Sequence, residues 1–362
     1  MQSKFLSSSC PSSFPPSLPA SVYINFKKPV NCFALSGCRK FAVVSGTGFI
    51  ARVGLLPFGL QRCVEADCDI WKVEFSASEL FVYLASNESD SLIHIHHSLS
   101  LARLGSIAGH GGFLSEILVL RTRDVVVSSS SDKTIRVWDG FGYKEREQVS
   151  EANVWFRALA CDSEESRFFA GGGSRDLMSF SILPYKLIRK RSLPEAIFSL
   201  RFSGDGRTLF AGLEVSVGFL NPQSLALLRR IPAFLDLVRA VAPFYGDKFL
   251  VGSSEDDSIS AFAFGKGAKV YTFERHQDRV FNALITPEGY LISASQDRHF
   301  SIAKTRLTDP KLTLDLEHTP LLAIKGKHAL SQLATRRLKR AIPLFDPLAP
   351  LRSPVSKPPL FV

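Results

Sequence analysis

A few short stretches carry the residue types that metal and phosphate sites use. His94 and His96 share one face of a strand-like run and, with His97, could ligate a metal. No acidic or cysteine residue is close to them in the sequence, and an outer strand with polar residues facing solvent accounts for them. Residues 171–174 (Gly-Gly-Gly-Ser) lack the Gly-Lys-Ser/Thr that a P-loop needs. We therefore predict neither a metal site nor a cofactor.

Motifs for catalysis are also missing. No Gly-x-Ser-x-Gly nucleophile motif occurs, and the six cysteines form no Cys-x-x-Cys pair. The adjacent carboxylates at 164–165 and 256–257 fall in predicted turns, where solvation is their ordinary role. We predict that the chain is not an enzyme.

The most informative stretch is residues 109–139, which opens on Gly-His and closes on Trp-Asp. β-Branched residues dominate 125–127 and 135–137 and favour extended backbone. The polar residues 131–134 between them indicate a tight turn. The stretch therefore predicts two antiparallel strands joined as a hairpin.

This stretch resembles a WD repeat, the unit of a family of β-propeller proteins. In that family a His, a strand Ser or Thr, a turn Asp and a Trp form a hydrogen-bonded chain inside the blade. A second unit repeats the pattern but has Ala303 at the Trp position. The resemblance assigns this structural network to His110, Ser128, Asp132, Trp138, His276, Ser293 and Asp297.

The chain repeats at a regular interval. Apolar runs that would start the first strand of each unit recur every 40 to 43 residues, by subtraction of their positions in the sequence. Such a period, with four short strands in each unit, is typical of propeller blades. The units start near residues 30, 70, 113, 155, 197, 237 and 280, with a possible further unit at 321.

The predicted fold class is all-β: a single β-propeller of seven or eight four-stranded blades over residues 22–346. As in the family it resembles, an N-terminal strand at 22–26 is expected to pair with the last blade and close the ring. Residues 1–21 are rich in Ser and Pro and are predicted to be a disordered tail. Residues 347–362 are rich in Pro and are predicted to be a loose C-terminal tail.

The C-terminal region has two interpretations. Residues 311–316 alternate apolar and polar residues and are predicted to be the outer strand of the seventh blade. After them, residues 333–335 and 342–346 can be laid on residues 126–128 and 135–139 without a gap, which implies an eighth unit from residue 321 with Phe345-Asp346 as a degraded Trp-Asp. The alternative for 328–342 is a basic amphipathic helix. The sequence leaves both open.

Positive charge is concentrated at the two ends. The net charge is +10, but residues 1–64 carry seven Lys or Arg and no acid, and residues 321–362 carry eight with one acid. The ends could therefore bind RNA, an acidic protein or anionic headgroups. Residues 336–340 also resemble a short nuclear-import signal. The candidate basic patch comprises Arg336, Arg337, Lys339 and Arg340.

The predicted function follows from the resemblance: a non-catalytic WD-repeat scaffold that binds other proteins in a multi-subunit complex. The alternative is a non-catalytic subunit of an RNA-handling complex, for ribosome assembly or RNA modification, that uses the basic ends. We expect a cytoplasmic or nuclear location, with organelle import as a lesser alternative, and no membrane span. Candidate residues on the partner-binding rim are Trp155, Arg175, Arg239, Asp257, Arg279 and Arg298.

Overall fold

The computed structural model shows an all-β chain. It describes residues 21–55, 57–86, 91–140, 142–150, 155–244, 246–264, 268–273 and 275–305. No helix in this part of the chain is long and apolar enough to cross a bilayer. The predicted eighth unit, the outer strand at 311–316 and the alternative basic helix all lie outside these residues.

The described strands pair into antiparallel sheets, in which consecutive strands are neighbours except at the last sheet. Strands β1 to β7 are Ser21–Asn25, Val30–Leu35, Phe41–Leu55, Phe58–Phe75, Phe81–Ser86, Ile93–His97 and Arg103–Ile107. Strands β8 to β15 are Leu114–Leu120, Val125–Ser130, Thr134–Asp139, Glu145–Ser150, Phe156–Cys161, Arg167–Gly172, Asp176–Ser181 and Leu187–Ser192. Strands β16 to β19 are Ser199–Phe202, Leu209–Gly212, Ser216–Leu220 and Leu227–Pro232. Strands β20 to β26 are Val238–Phe244, Phe249–Ser254, Ile259–Ala263, Ala268–Phe273, Val280–Ile285, Tyr290–Ser295 and His299–Lys304.

The number of sheets differs from the prediction. The described residues form six sheets, five of four strands and one of six strands, β2 to β7. The prediction of seven or eight separate four-stranded blades is therefore wrong. The reason is continuity: β3 pairs with β2 and then with β4, and β4 pairs with β3 over 58–69 and with β5 over 70–75. The first two sequence units thus share one sheet, a merger that a count of repeats does not reveal.

The first strands of the sequence units surround a central cavity. Each contacts the next one along the chain, and β24 at the end contacts β2 at the beginning. The cavity has a volume of ≈ 530 Å³. It is lined by residues of β2, the second half of β4, β8, β12, β16, β20 and β24. This circular order of contacts is the β-propeller arrangement.

Strand β1 takes the fourth place in the last sheet. It pairs antiparallel with β26, from Ser21 opposite Ala303 to Asn25 opposite His299. The backbone N–H of Phe26 extends the ladder by donating to the carbonyl of Arg298 at 3.0 Å. The sheet order is therefore β1-β26-β25-β24, with strands from opposite ends of the described chain side by side.

Apolar side chains pack between neighbouring sheets. One such cluster joins the β8–β11 sheet to the β12–β15 sheet, and includes Val127, Val137, Phe168 and Phe180. Members of this cluster mostly lie two residues apart along their strands, as Val125 and Val127 do on β9. Such alternation is expected for sheets that are covered on both faces. Each blade-like sheet thus contributes its two faces to two separate clusters, and the ring has no single centre of hydrophobic packing.

Candidate functional site

A recurring β-bulge shapes the wall of the central cavity. In six of the first strands the pairing register shifts around one residue, as between Val30 and Cys32 and between Phe156 and Ala158. This residue is the second of its strand, except in β4, where it is Trp71. A bulge changes the direction of a side chain locally. The residues at the shifts all line the cavity, and they are Asn31, Trp71, Ser115, Arg157, Arg239 and Phe281.

Two of these residues belong to a stacked group of cations and rings. The guanidinium carbon of Arg157 lies 3.8 Å from the centre of the Trp155 ring and 5.0 Å from that of Phe198. Arg239 approaches the same Phe198 ring at 5.6 Å. Trp155 is 38% exposed and donates its indole N–H to Ser115 Oγ at 3.0 Å. We call Trp155, Arg157, Phe198 and Arg239 the arginine–aromatic cluster.

Glu255 anchors one side of this cluster. Its nearly buried carboxylate accepts a hydrogen bond from Arg239 and lies 3.4 Å from Nε of Arg279. Burial lowers the pKa of Arg157 and the nearby charge of Arg239 lowers it further, whereas Glu255 opposes both. Arg157 remains a cation because arginine titrates far above neutral pH. The cluster and Arg279 therefore carry three positive charges against one carboxylate.

A second set of charged residues lines the cavity and includes an ion pair. Lys72 Nζ lies 2.7 Å from Glu116 Oε1. Burial disfavours the charged amine of Lys72, but Glu116, Cys32 and Glu74 together outweigh burial and raise the pKa of the amine. Burial raises the pKa of Glu74, an effect that Lys72 and Arg201 reduce. Charged residues that line the cavity are the cations Lys72, Arg157, Arg201 and Arg239 and the carboxylates Glu74 and Glu116. The lining is thus more positive than negative.

The structure separates the six rim candidates into two groups. Trp155, Arg239 and Arg279 are brought together by Phe198 and Glu255, as described above. The remaining candidates lie in second-to-third-strand turns of three different sheets and do not line the cavity. Their left-handed φ angles are 66° for Arg175, 71° for Asp257 and 75° for Arg298.

The Gly-His and Trp-Asp stretch holds a continuous chain of hydrogen bonds. His110 Nδ1 is 2.8 Å from Asp132 Oδ2, and His110 Nε2 is 2.7 Å from Ser128 Oγ. Trp138 donates its indole N–H to the same Ser128 Oγ at 2.7 Å. The directions agree with a neutral imidazole: Trp138 donates to Ser128, Ser128 to His110, and His110 to Asp132. Each of these groups therefore has a partner.

The last sheet holds a similar chain of hydrogen bonds, which ends on a serine instead of a tryptophan. His276 Nδ1 is 2.8 Å from Asp297 Oδ2, and His276 Nε2 is 2.7 Å from Ser293 Oγ. Ala303 stands opposite Leu291, the position that Trp138 takes opposite Val126. Ser301 supplies the missing donor, with its hydroxyl 2.7 Å from Ser293 Oγ. Sequence reasoning missed Ser301, although it is the cross-strand partner of Ser293.

The turn carboxylates of both networks are strongly acidic. Burial of the Asp132 carboxyl opposes its ionisation, but hydrogen bonds from Gly111, Thr134 and His110 outweigh burial and lower its pKa to about 2. Asp297 behaves in the same way and also has a pKa of about 2. Burial lowers the pKa of His110, more than Asp132 raises it. A neutral imidazole and an ionised carboxylate are thus the favoured states of the network.

The other candidate groups have local structural contacts. His94 Nε2 is 3.4 Å from Cys68 Sγ, and His96 Nδ1 is 2.9 Å from the carbonyl of Leu101. No cluster of three or more His, Cys, Asp or Glu residues able to hold a metal occurs in the described part of the chain. Glu165 accepts the backbone N–H of Arg121 at 2.6 Å and so ties two neighbouring sheets. The candidate basic patch Arg336, Arg337, Lys339 and Arg340 lies outside the described residues.

Comparison with protein families supports the architecture. The family model described as "WD domain, G-beta repeat" (WD40) matches residues 102–139. No curated protein matches the chain. The matched segment runs from the end of the six-stranded sheet through the complete His–Ser–Asp–Trp network. The matched repeat and the circular arrangement of the sheets together support a WD-repeat β-propeller.

Proposed function

We propose that the chain is a non-catalytic scaffold that binds other proteins through the arginine–aromatic cluster. The observation that supports this site most directly is the stack of Arg157 on Trp155 and Phe198 beside an open cavity. Arg and Trp are the residue types that most often dominate the energy of protein interfaces. Stacking also holds the guanidinium in place before a partner binds, which reduces the entropy lost on binding.

The charge of the site indicates what its partner contributes. Glu255 already holds Arg239 and Arg279, while Arg157 has no carboxylate within 4 Å among the described residues. An acidic side chain of the partner would supply that carboxylate, and charge-assisted hydrogen bonds to guanidinium are among the strong ones. The proposed partner therefore presents an acidic residue to the cavity.

The experiment compares partners recovered with two matched variants. Tagged wild-type, Arg157→Met and Arg207→Met proteins are purified from the source cells with and without RNase, and partners are quantified by mass spectrometry. Met retains an apolar contact with the rings but removes the charge. Arg207 is an exposed control, with 86% of its side chain accessible. We expect Arg157→Met to reduce recovery of a small protein set about tenfold or more, and Arg207→Met to leave it unchanged.

Two results would contradict this proposal. Equal recovery with both variants would exclude the arginine–aromatic cluster as the binding site. Loss of all partners on RNase treatment, with steep weakening at higher salt, would favour the RNA-handling alternative and the basic ends of the chain.

We also propose that β1 closes the propeller. Its pairing with β26 joins two distant parts of the chain, since Asn25 contacts His299, which is 274 residues away in the sequence. Such a pairing would keep the last sheet from separating from the first.

A further inference from the structure

The outer strand β15 is exposed along its whole length and is strongly basic. It is the outermost strand of the β12–β15 sheet and reads Leu-Ile-Arg-Lys-Arg-Ser from residue 187 to residue 192. All six residues are exposed, and none of them is acidic. The outer strand β11 of the preceding sheet differs, since its basic Arg146 lies between Glu145 and Glu147. Among the described strands β15 pairs only with β14, so it presents both an unpaired backbone edge and a run of positive charge.

Two of its arginines face the groove toward the next sheet. Arg191 is the cross-strand partner of Leu177, and Arg189 is the partner of Ser179 two residues along. Cross-strand partners lie on the same face of a sheet. Leu177 packs in a cluster with Leu209 and other residues of the β16–β19 sheet. Arg189 and Arg191 are therefore on the face of β15 that turns toward that sheet.

The opposite wall of this groove is also basic. Arg230 on β19 is the partner of Gly218, whereas its neighbour Ile231 packs with Val238 of the following sheet. Alternation along the strand puts Arg230 on the other face, toward β15. Its guanidinium lies 2.9 Å from Glu195, which comes three residues after the end of β15. Arg189, Arg191 and Arg230 thus line one groove, which we call the β15–β19 groove.

The carboxylates near this groove do not neutralise Arg189 and Arg191. Glu195 is occupied by Arg230, by Ser216 Oγ at 2.8 Å and by the N–H of Val215 at 3.1 Å. Asp176 is paired with Lys190 at 3.2 Å, on the other face of β15. Within the described residues, neither Arg189 nor Arg191 has a carboxylate within 4 Å. The groove therefore carries unmatched positive charge.

We propose that the β15–β19 groove docks an extended acidic polypeptide segment of a partner protein, which adds to the free edge of β15. Exposed backbone N–H and C=O groups of an edge strand accept such a strand directly. Acidic residues two positions apart in the segment would lie opposite Arg189 and Arg191. The exposed apolar side chains Leu187 and Ile188 suit a polypeptide, and no exposed aromatic ring of β15 or β19 offers a base a surface to stack on.

This second surface can be occupied together with the arginine–aromatic cluster. β12 lines the cavity, and β15 is three strands away in the same sheet. With neighbouring strands about 4.8 Å apart, the strand axes are roughly 14 Å apart. The inference is independent of the cluster, and it would give the scaffold two docking surfaces.

The test uses a fluorescein-labelled peptide of five Asp-Val repeats, with five Asp-Pro repeats as a control of equal charge that cannot form a strand ladder. A single-stranded 12-nucleotide oligouridylate is the third probe. Binding to wild-type protein, Arg189→Glu/Arg191→Glu and the control Arg121→Glu/Arg207→Glu is measured by fluorescence anisotropy. The control changes the same charge at exposed arginines elsewhere. Melting curves establish that each variant is folded, and hydrogen exchange of residues 187–192 is followed with and without peptide.

We expect binding that depends both on the peptide sequence and on the arginines of β15. Asp-Val should bind at least several-fold more tightly than Asp-Pro. The Arg189→Glu/Arg191→Glu variant should weaken Asp-Val binding about tenfold, because two attractive charge pairs become repulsive, and the control variant should weaken it twofold or less. Amides of residues 187–192 should exchange more slowly with peptide bound.

The proposal is overturned by any of four results. These are no measurable binding of Asp-Val, equal weakening in both variants, unchanged exchange at 187–192, or tighter binding of the RNA than of Asp-Val with the same dependence on Arg189 and Arg191. The last result would assign the groove to nucleic acid.

Discussion

Two neighbouring sheets of this propeller are each stabilised by a different kind of side-chain contact. In the β8–β11 sheet, Ser128 and Trp138 belong to the buried hydrogen-bond chain with His110 and Asp132. In the β12–β15 sheet, the pairing register places Ala170 and Phe180 at the positions of Ser128 and Trp138. Phe180 stacks on Phe168 with ring centres 4.9 Å apart. The same backbone arrangement therefore tolerates either a directional polar network or apolar packing.

The comparison shows what each solution depends on. A polar network stabilises only when every buried member has a partner, so it is sensitive to the loss of one group and to protonation. Apolar packing depends on filled volume and is independent of pH. The last sheet lies between the two, since it has the His–Ser–Asp chain but ends on Ser301 instead of an indole.

The largest effect is expected in the apolar sheet. Phe180→Ala should lower the free energy of unfolding by about 3–5 kcal/mol, because it removes a fully buried ring and leaves a cavity beside Phe168. Urea denaturation at pH 7 and pH 5 measures this loss, which should be the same at both pH values. A loss that changes with pH would show that the sheet also depends on a titrating group.

His110→Ala should cost somewhat less, about 2–3 kcal/mol, because it leaves the Asp132 carboxylate and the Ser128 hydroxyl without their shared partner. His276→Ala is the matched change in the last sheet. Denaturation of both variants measures the two losses, which should be similar because each histidine bonds a turn carboxylate and a strand serine. A negligible loss in either variant would mean that its network is not a source of stability.

Removal of residues 1–25 tests whether the last sheet depends on β1. We expect a fall in Tm of about 5 °C, because the deletion removes the strand partner of β26 and exposes its edge. Removal of residues 1–20, which retains β1, is the control and should leave Tm unchanged. Equal Tm values for the two truncated proteins would overturn the proposed closure.

A smaller effect is expected from acid. A carboxylate with a folded pKa of about 2, below its unfolded value of 3.8, contributes stability that is present above pH 3.8 and lost as the pH falls toward 2. The lowered pKa of His110 acts in the same direction, since the unfolded chain takes up a proton first as the pH falls below 6.5. Stability measured from pH 7 to pH 3 should therefore decrease, and the double variant His110→Ala/His276→Ala should show a weaker dependence.

The smallest effect concerns Ser301. Ser301→Ala should cost about 1 kcal/mol, because Ser293 keeps its bond to His276 and loses only one donor. The Tm of Ser301→Ala is measured by calorimetry and compared with the Tm of Ser293→Ala, a variant that loses both bonds of Ser293. A loss as large as that of Ser293→Ala would place Ser301 at the centre of the network.

Part of this organisation could be predicted from local patterns. The hairpin at 125–139 follows from β-branched residues on both sides of a polar turn, and the roles of His110 and Trp138 follow from the resemblance to a WD repeat. Ser301 could have been found as the cross-strand partner of Ser293 once the turn at 296–298 was assigned. Arg157 gave no such signal, since nothing near it in sequence indicates the ring of Phe198, which is 41 residues away.

The amino-acid sequence alone determined the all-β class and the repeat period, because strand propensity, turn chemistry and spacing act over short stretches. The resemblance to a WD repeat then assigned the residues of the polar networks other than Ser301. Only the tertiary structure decided that the first two units share one sheet and that Glu255 holds two arginines beside a cavity. These features depend on strand bulges and on contacts between distant units, which the circular packing of the whole chain brings together.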